Sequence, residues 1–306
     1  GEELPCNALN YIWANRLPVG EIIANPFTDT TMMVAVNSGT ANTGEWVTVE
    51  RDIMADYREA TRNCPVVKSV YMEVNVHPGL QRQEAQYVLA LCEAGDNPMS
   101  GAVIGGCPGE SSFAGYLEEF AGNPFVKGVR TILHDPDRPR GMCLTPQFKE
   151  NIRLLGELGL SFDLCMRPAE IQDAVELVDA CPETRFIIDH CGNMSVQPDQ
   201  QQDRAAWETG MQQMAQREHV FCKISGIIAT ATRGAWQPAD LKQNIDFCLD
   251  TFGEDRVFFG GDWPVCTLTA DFESWYQALR WIVQDRGAAF QRKLFHDNAD
   301  AFYRLG

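Results

Sequence analysis

Seven short apolar runs recur along the 306-residue chain. They read VVKSVYMEV (66–74), GAVIGGC (101–107), VKGVRTIL (126–133), LSFDLCM (160–166), RFIIDHC (185–191), VFCKISGI (220–227) and VFFGGDW (257–263). Between them lie longer segments with apolar residues at three- and four-residue spacing, among them LQRQEAQYVLALCEAG, TPQFKENIRLLGELG and PADLKQNIDFCLDTFG. Short continuous runs predict strands and the longer spacing predicts amphipathic helices. Boundary residues agree: Thr145-Pro146 opens a helix, Pro168 sits in a first turn, and Gly159 and Gly253 close two others.

Strand–helix alternation at this rhythm implies a parallel sheet with helices outside it. Seven strands, with an eighth from the N-terminal portion, make a (β/α)8 TIM barrel. The length suits that fold, and no GxGxxG follows the first strand, so an open dinucleotide-binding sheet is the weaker reading. Without internal repeats or a linker, residues 1–306 read as a single domain whose residues 1–65 form an irregular N-terminal part. Strand one falls in either GEIIANPF (20–27) or TTMMVAVNSG (30–39). Residues 47–62 read as the helix before the next strand, and FQRKLFHDNADAFYRLG (290–306) as a closing helix.

In a parallel barrel, chemistry gathers at the C-terminal strand ends. Here those ends carry Glu73, Cys107, Arg130 with His134, Arg167, Asp189-His190, Ser225 and Asp262. Asp189 and His190 alternate along an extended strand, so only one of them is expected to face the barrel axis. His190 can bind a metal, polarise a carbonyl or carry a proton, and its structural alternative is a hydrogen bond to a loop. Asp262 can deprotonate water or ligate a metal; otherwise it caps a helix. Gly260-Gly261 before it permits close approach, and Trp263-Pro264 after it stiffens the turn. Arg130 either forks a substrate carboxylate or pairs with a neighbouring acid such as Glu73. His134, Glu73, Arg167 and Ser225 complete the candidate substrate-binding set. His77 is a possible extra ligand, while His219 and His296 read as ordinary turn or helix residues. No GxSxG, P-loop or HExxH offers a competing chemistry.

Composition narrows the partners. A net charge of -17, from 25 basic and 42 acidic residues, opposes nucleic acid and anionic membranes but not a small substrate held by one or two local arginines. No apolar run approaches membrane-span length and no signal peptide is evident. Eleven cysteines are scattered without CxxC spacing, and Cys107, Cys165, Cys191, Cys222 and Cys266 fall in or beside apolar runs. They read as buried thiols, which places the chain in a reducing cytoplasm. A homodimer is compatible with this, since barrels of this kind often pair.

The pieces VKGVRTILHDP, FDLCMRP, RFIIDHCGN, CKISGI, GGDWPVC and the terminal DNADAFYRLG together resemble the amidohydrolase-2 branch of the metal-dependent hydrolase barrels. The nearest flavour is the lactonase group with sugar-lactone hydrolases and 2-pyrone-4,6-dicarboxylate hydrolase. The resemblance spans roughly residues 66–306. It implies a barrel whose water-activating Asp matches Asp262 and whose sixth-strand His matches His190. It also implies a His-x-His at the end of strand one, yet the first histidine here is His77. His190 and Asp262 alone are a poor zinc site, which needs three protein ligands. The cofactor expectation is therefore none, or one divalent zinc on His190, Asp262 and a substitute ligand among His77, His134 and Glu73. The expected activity is hydrolysis of a sugar-acid or carboxylated lactone, with Asp262 as base and His190 as proton donor. A metal-dependent decarboxylase and a degenerate ligand-binding barrel stand as the alternatives.

Overall fold

The computed structural model describes residues 52–306 in full and, ahead of them, the backbone of three strands, β1 (Ala8–Ala14), β2 (Ile22–Ala24) and β3 (Thr31–Ser38). Each of the seven apolar runs coincides with a strand: β4 (Ser69–Met72), β5 (Met99–Gly105, which starts two residues ahead of its run), β6 (Val126–Ile132), β7 (Ser161–Cys165), β8 (Arg185–Ile188), β9 (Val220–Ile224) and β10 (Val257–Phe259). These seven pair in chain order and all in parallel, from β4 at one edge to β10 at the other. Helices connect them, including Pro146–Glu157 with Thr145 as its N-cap and Pro238–Phe252 ended by Gly253 at φ 75°.

The sheet curls. Lys223 Nζ on β9 lies 3.3 Å from Met72 Sδ on β4, although four strands stand between them in the sheet. Side chains then sort by the two-residue period of a strand. Outward positions such as Ile104, Val129, Phe162, Leu164, Phe186, Cys222 and Val257 form the large core beneath the helices. Inward positions Val103, Ile187 and Phe258, with Val70, Met72 and Phe221, form a second, smaller cluster inside the curl. Burial on both faces is why these strands read as unbroken apolar runs rather than alternating ones.

The eighth strand differs from expectation. Both candidate stretches do contain strands, β2 and β3, but these pair with each other, and β3 pairs with β1, in a separate three-stranded sheet. Among the described residues no strand joins β10 to β4, so the structure is a seven-stranded curled half-barrel. The helix expected at 47–62 occupies Ile53–Thr61, capped by the Asp52 side chain on Ala55 N–H at 3.0 Å. An Asp at that position satisfies one of the donors a helix start leaves open.

The N-terminal end of the half-barrel is stoppered by the chain's last helix, Asn298–Tyr303. Phe302 and Tyr303 are 3% exposed and pack against Phe258 and Phe221 inside the curl. Three basic residues fasten this stopper from separate places: Lys68 to Asp300 at 2.6 Å, Lys127 to the Arg304 carbonyl at 3.0 Å, and Arg185 to the Phe302 carbonyl. All ten described cysteines are free thiols; Cys165, Cys191, Cys222 and Cys266 are buried and Cys107 is half-buried. No helix among the described residues is long and apolar enough to cross a membrane.

Phe302 is the test of the stopper. Phe302→Ala should lower unfolding free energy by about 3–5 kcal/mol, because the lost contacts lie in a cavity that neighbouring rings cannot refill. Urea denaturation would read this against Val67→Ala, where the exposed side chain predicts a change within about 0.5 kcal/mol.

Candidate active site

Strand alternation brings four charged side chains to the inner face just above the small apolar cluster: Arg130 on β6, Asp163 on β7, Asp189 at the end of β8, and Lys223 on β9. Lys223 Nζ donates to Asp163 Oδ2 at 2.7 Å and to Asp189 Oδ1 at 2.6 Å. Arg130 donates to Asp189 Oδ2 at 3.0 Å, to Glu73 Oε1 at 2.7 Å and to the Glu73 carbonyl. Five buried groups thus form one chain of ion pairs, Asp163–Lys223–Asp189–Arg130–Glu73. Burial alone would raise the Asp189 carboxyl, but Lys223 and Arg130 outweigh it and hold it well below the usual carboxylate range. Asp163 has the opposite balance. Burial dominates, Lys223 offsets only part of it, and its pKa is pushed up to about 6. One Asp163 oxygen has no hydrogen-bond partner, and the Tyr303 hydroxyl reaches the other at 3.4 Å.

Above this layer stands the pair His190 and Asp262. Alternation should send His190 away from the axis, since Asp189 points inward. The chain instead enters a left-handed turn, with positive φ at His190 (54°), Cys191 (53°), Gly192 (68°) and Asn193 (57°). That turn brings the imidazole to Ser225, whose Oγ lies 2.9 Å from Nδ1, and to Asp262, whose Oδ2 lies 4.0 Å from Nδ1. Asp189 takes the inward position that alternation allows to one of the two, and the turn returns the His190 ring to Ser225 and Asp262. The turn is anchored by Trp207 Nε1 donating to the Cys191 carbonyl at 3.0 Å and by Asn193 Nδ2 donating to the Met166 carbonyl at 2.9 Å. Backbone strain of this kind persists where surrounding contacts over-determine it, and such places concentrate at functional sites.

Two glycine positions make room. A Cβ on Gly226 would sit 2.8 Å from the His190 Cβ and closer to its ring, so a side chain there would displace the imidazole. A Cβ on Gly260 would meet the Ser225 Cβ at 2.8 Å. Asp262 itself has φ 51° and is followed by a cis Trp263–Pro264 bond. The Trp275 indole donates to the Gly260 carbonyl at 3.1 Å, and the Cys266 N–H to the Asp262 carbonyl at 2.9 Å, fixing the loop on both sides of the acid.

Charge distribution in the pair follows. Burial disfavours a charged His190, but Asp262, Cys165 and Asp189 reverse the balance and raise its pKa to about 9. Burial raises the Asp262 carboxyl, with His190 and Arg130 opposing. A protonated imidazole thus faces a carboxyl group of increased basicity, both side chains opening modestly to solvent at 15% and 17% exposure.

The remaining candidates fall elsewhere. Arg130 and Glu73 bind each other in the buried ion chain. Arg167 is half-buried and clamps a loop through the carbonyls of Leu133 (3.3 Å), Asp135 (2.7 Å) and Arg138 (3.3 Å) and through Glu170 (2.9 Å). His134 reaches Cys165 Sγ with Nδ1 at 3.5 Å, and burial followed by Arg130 and Arg167 lowers its pKa. His77 caps a short turn by accepting from Gly79 N–H at 3.2 Å. The sequence reading passed over Asp163 and Lys223. Their signal was a lone charge inside an apolar run, at the same strand parity as Arg130 and Asp189.

A nitrogen–oxygen zinc centre does not fit these residues. His190 and Asp262 supply two donors, while both oxygens of Asp189 are taken by Lys223 and Arg130. Cys165, Asp189 and His190 are the one group among the described residues whose donor atoms lie within 4.8 Å of one another, and the donor it adds is a thiol.

Comparison with known proteins bears on the whole chain. The family model described as Amidohydrolase matches residues 50–305, and a model described as a protein of unknown function (DUF3047) matches residues 1–72. The uncharacterized protein y4mH of Sinorhizobium fredii is 24% identical over 275 residues, 86% of this chain and 89% of its own. An L-fucono-1,5-lactonase of Burkholderia multivorans is 27% identical over 187 residues, covering 59% of this chain and 63% of that protein. Among solved structures, an amidohydrolase from Burkholderia multivorans with bound zinc superposes with a TM-score of 0.74 at 20% identity, covering 99% of this chain and 100% of its own. A putative 2-pyrone-4,6-dicarboxylic acid hydrolase from Pseudomonas putida gives 0.65 at 19% identity, covering 99% of both chains.

The ion chain predicts a large effect of one charge. Lys223→Met leaves Asp163 and Asp189 facing each other without their shared cation and should destabilise the fold by about 3–5 kcal/mol in urea or thermal unfolding. A loss under about 1 kcal/mol, the size of a surface pair, would show that the lattice is dispensable.

Proposed function

The chain belongs to the amidohydrolase family, and on that footing we propose that it hydrolyses a small hydroxylated or carboxylated lactone with Asp262 as general base and His190 as general acid. The observation that carries this reading is the His190–Asp262 pair at the mouth of the half-barrel, held by Ser225 and by two strained turns. Likeness to the L-fucono-1,5-lactonases of two Burkholderia species supports the choice of substrate class. A complete eight-stranded barrel, with the N-terminal portion supplying the missing strand, belongs to the same proposal.

Asp262 accepts a proton from water, and the hydroxide adds to the lactone carbonyl carbon. The imidazolium of His190 then gives its proton to the ring oxygen as the carbon–oxygen bond breaks, releasing the hydroxy acid. The proton on Asp262 passes to His190, directly or through solvent, which restores the carboxylate and the imidazolium. An ester leaving group makes such acid–base catalysis sufficient, where an amide would demand more stabilisation of the tetrahedral intermediate. Arg130 acts here as a positioning residue. It fixes Glu73 and Asp189, and Asp189 in turn contributes to holding the proton on His190.

A panel of sugar-acid and carboxylated lactones, read by acid release, tests the proposal. Asp262→Asn should lower kcat by about 10²–10⁴-fold while leaving circular dichroism and melting unchanged, and His190→Asn should do the same within that range. Full activity of Asp262→Asn would sink the assignment. Carbon dioxide release from aromatic carboxylates without lactone turnover would replace it with a decarboxylase, and tight lactone binding without turnover would replace it with a binding barrel.

A further inference from the structure

The helix Phe272–Ile282 hides one face and displays another. Phe272, Trp275, Ala278, Leu279 and Ile282 are buried, at the three- and four-residue spacing of an amphipathic helix. Gln277, Arg280, Trp281 and Gln284 stand at i, i+3, i+4 and i+7, which gathers them on the outward side, the last of them in the short turn Gln284–Arg286. With Gln291, from the next helix Gly287–Arg292, they line a cleft of about 430 Å3. Small-molecule sites occupy roughly 300–1,000 Å3. The cleft lies on the outer surface of the half-barrel and shares no residue with the His190–Asp262 site.

Each lining group offers a different contact. Trp281 is 46% exposed, the one exposed tryptophan among the described residues. An open indole presents a flat apolar face, with an N–H donor at its edge. Arg280 has no acidic partner among the described residues; its guanidinium rests 5.7 Å from the centroid of the Tyr276 ring. On a chain of net charge -17, such an arginine is a local reversal of the field. The glutamines add neutral amides that both donate and accept. Gln291 Nε2 is turned onto the Val283 and Gln284 carbonyls at 3.3 and 3.4 Å, which leaves its oxygen as an acceptor. No carboxylate of the described residues lines the cleft. A bare carboxylate would use only Arg280 here, and an apolar ring only Trp281. A ring with a C–H face, hydroxyls at its rim and a carboxylate uses the whole lining.

We propose that this cleft is a second binding site, for a sugar acid of the uronate type. The Trp281 indole stacks on the C–H face of the pyranose ring, and Arg280 forks the carboxylate. The amides of Gln277 and Gln284 bond the hydroxyls, and the Gln291 oxygen accepts from one of them. The cleft is open on one side and removes only part of the ligand from water, so the affinity is in the millimolar range. The ligand class follows from these five residues and does not rest on the lactonase reading.

The Trp281 indole N–H resonance in a proton–nitrogen correlation spectrum, identified by its absence from Trp281→Phe, reports the site without any assay of activity. Sodium D-glucuronate should shift it saturably, and acetate, the carboxylate without the ring, should leave it in place. Methyl β-D-glucoside, the ring without the carboxylate, should bind roughly tenfold more weakly than glucuronate, and Arg280→Gln should bring glucuronate down to the same level. His190→Asn should leave the glucuronate shift unchanged, which separates this cleft from the strand-end site. Arg280 and Trp281 are exposed, so circular dichroism and melting of their variants should match the native protein. No shift with glucuronate, an equal shift with acetate, or unchanged glucuronate binding in Arg280→Gln would overturn the proposal. A resonance that instead moves with protein concentration, together with a doubled sedimentation mass, would assign the face to contact between two copies and overturn it as well.

Discussion

Asp189 accepts from Lys223 through one oxygen and from Arg130 through the other, and the inner layer of the half-barrel is arranged around that one carboxylate. Through Lys223 it is tied to Asp163 on β7, and through Arg130 to Glu73 just past β4, so the five members of the ion chain come from five different strands or their ends. Charges in an interior are tolerated only when paired and hydrogen-bonded, because desolvation otherwise costs several kcal/mol per ion. The apolar stopper of Phe302 and Tyr303 below and the His190–Asp262 pair above are thus separated by a rigid electrostatic floor. Its pairing geometry fixes where the strand ends stand relative to each other.

The His190–Asp262 pair is positioned by local conformations that the floor makes necessary. With Asp189 pointing inward, an ordinary extended continuation would carry His190 out of the mouth. Four consecutive positive φ values from His190 to Asn193 bring it back, and the absence of a Cβ at Gly226 leaves space for its ring. Asp262 reaches the same point through its own positive φ after two glycines. Strain at both halves of the pair, each anchored by an indole donating to a loop carbonyl, makes the geometry a property of the surrounding packing rather than of the two side chains.

The resemblance to metal-dependent hydrolases and the donor set pull in different directions. No histidine precedes His77, and the acid nearest His190 along the chain is occupied by side-chain cations. The described strand ends of this chain carry an ion-paired floor with the His190–Asp262 pair above it. The family model over residues 50–305 establishes the family, and the solved structures establish the likeness of fold.

The sequence by itself determined the seven parallel strands, because parallel strands buried on both faces read as short apolar runs separated by amphipathic helices. It also singled out the strand ends as candidates for chemistry, since polar residues there stand out against such runs, as Glu73, His190, Ser225 and Asp262 do. It could not decide the pairing of the N-terminal strands: β2 and β3 have strand-like composition, but composition does not say which sheet a strand joins. Nor could it decide between Arg130 as a substrate fork and Arg130 as a partner of Glu73, because that choice depends on strand register around the curl. The place of His190 was decided by tertiary structure alone. Alternation is a rule for extended backbone, and the left-handed turn that breaks it is imposed by contacts from Trp207, Ser225 and Gly226, residues 17 to 36 positions away.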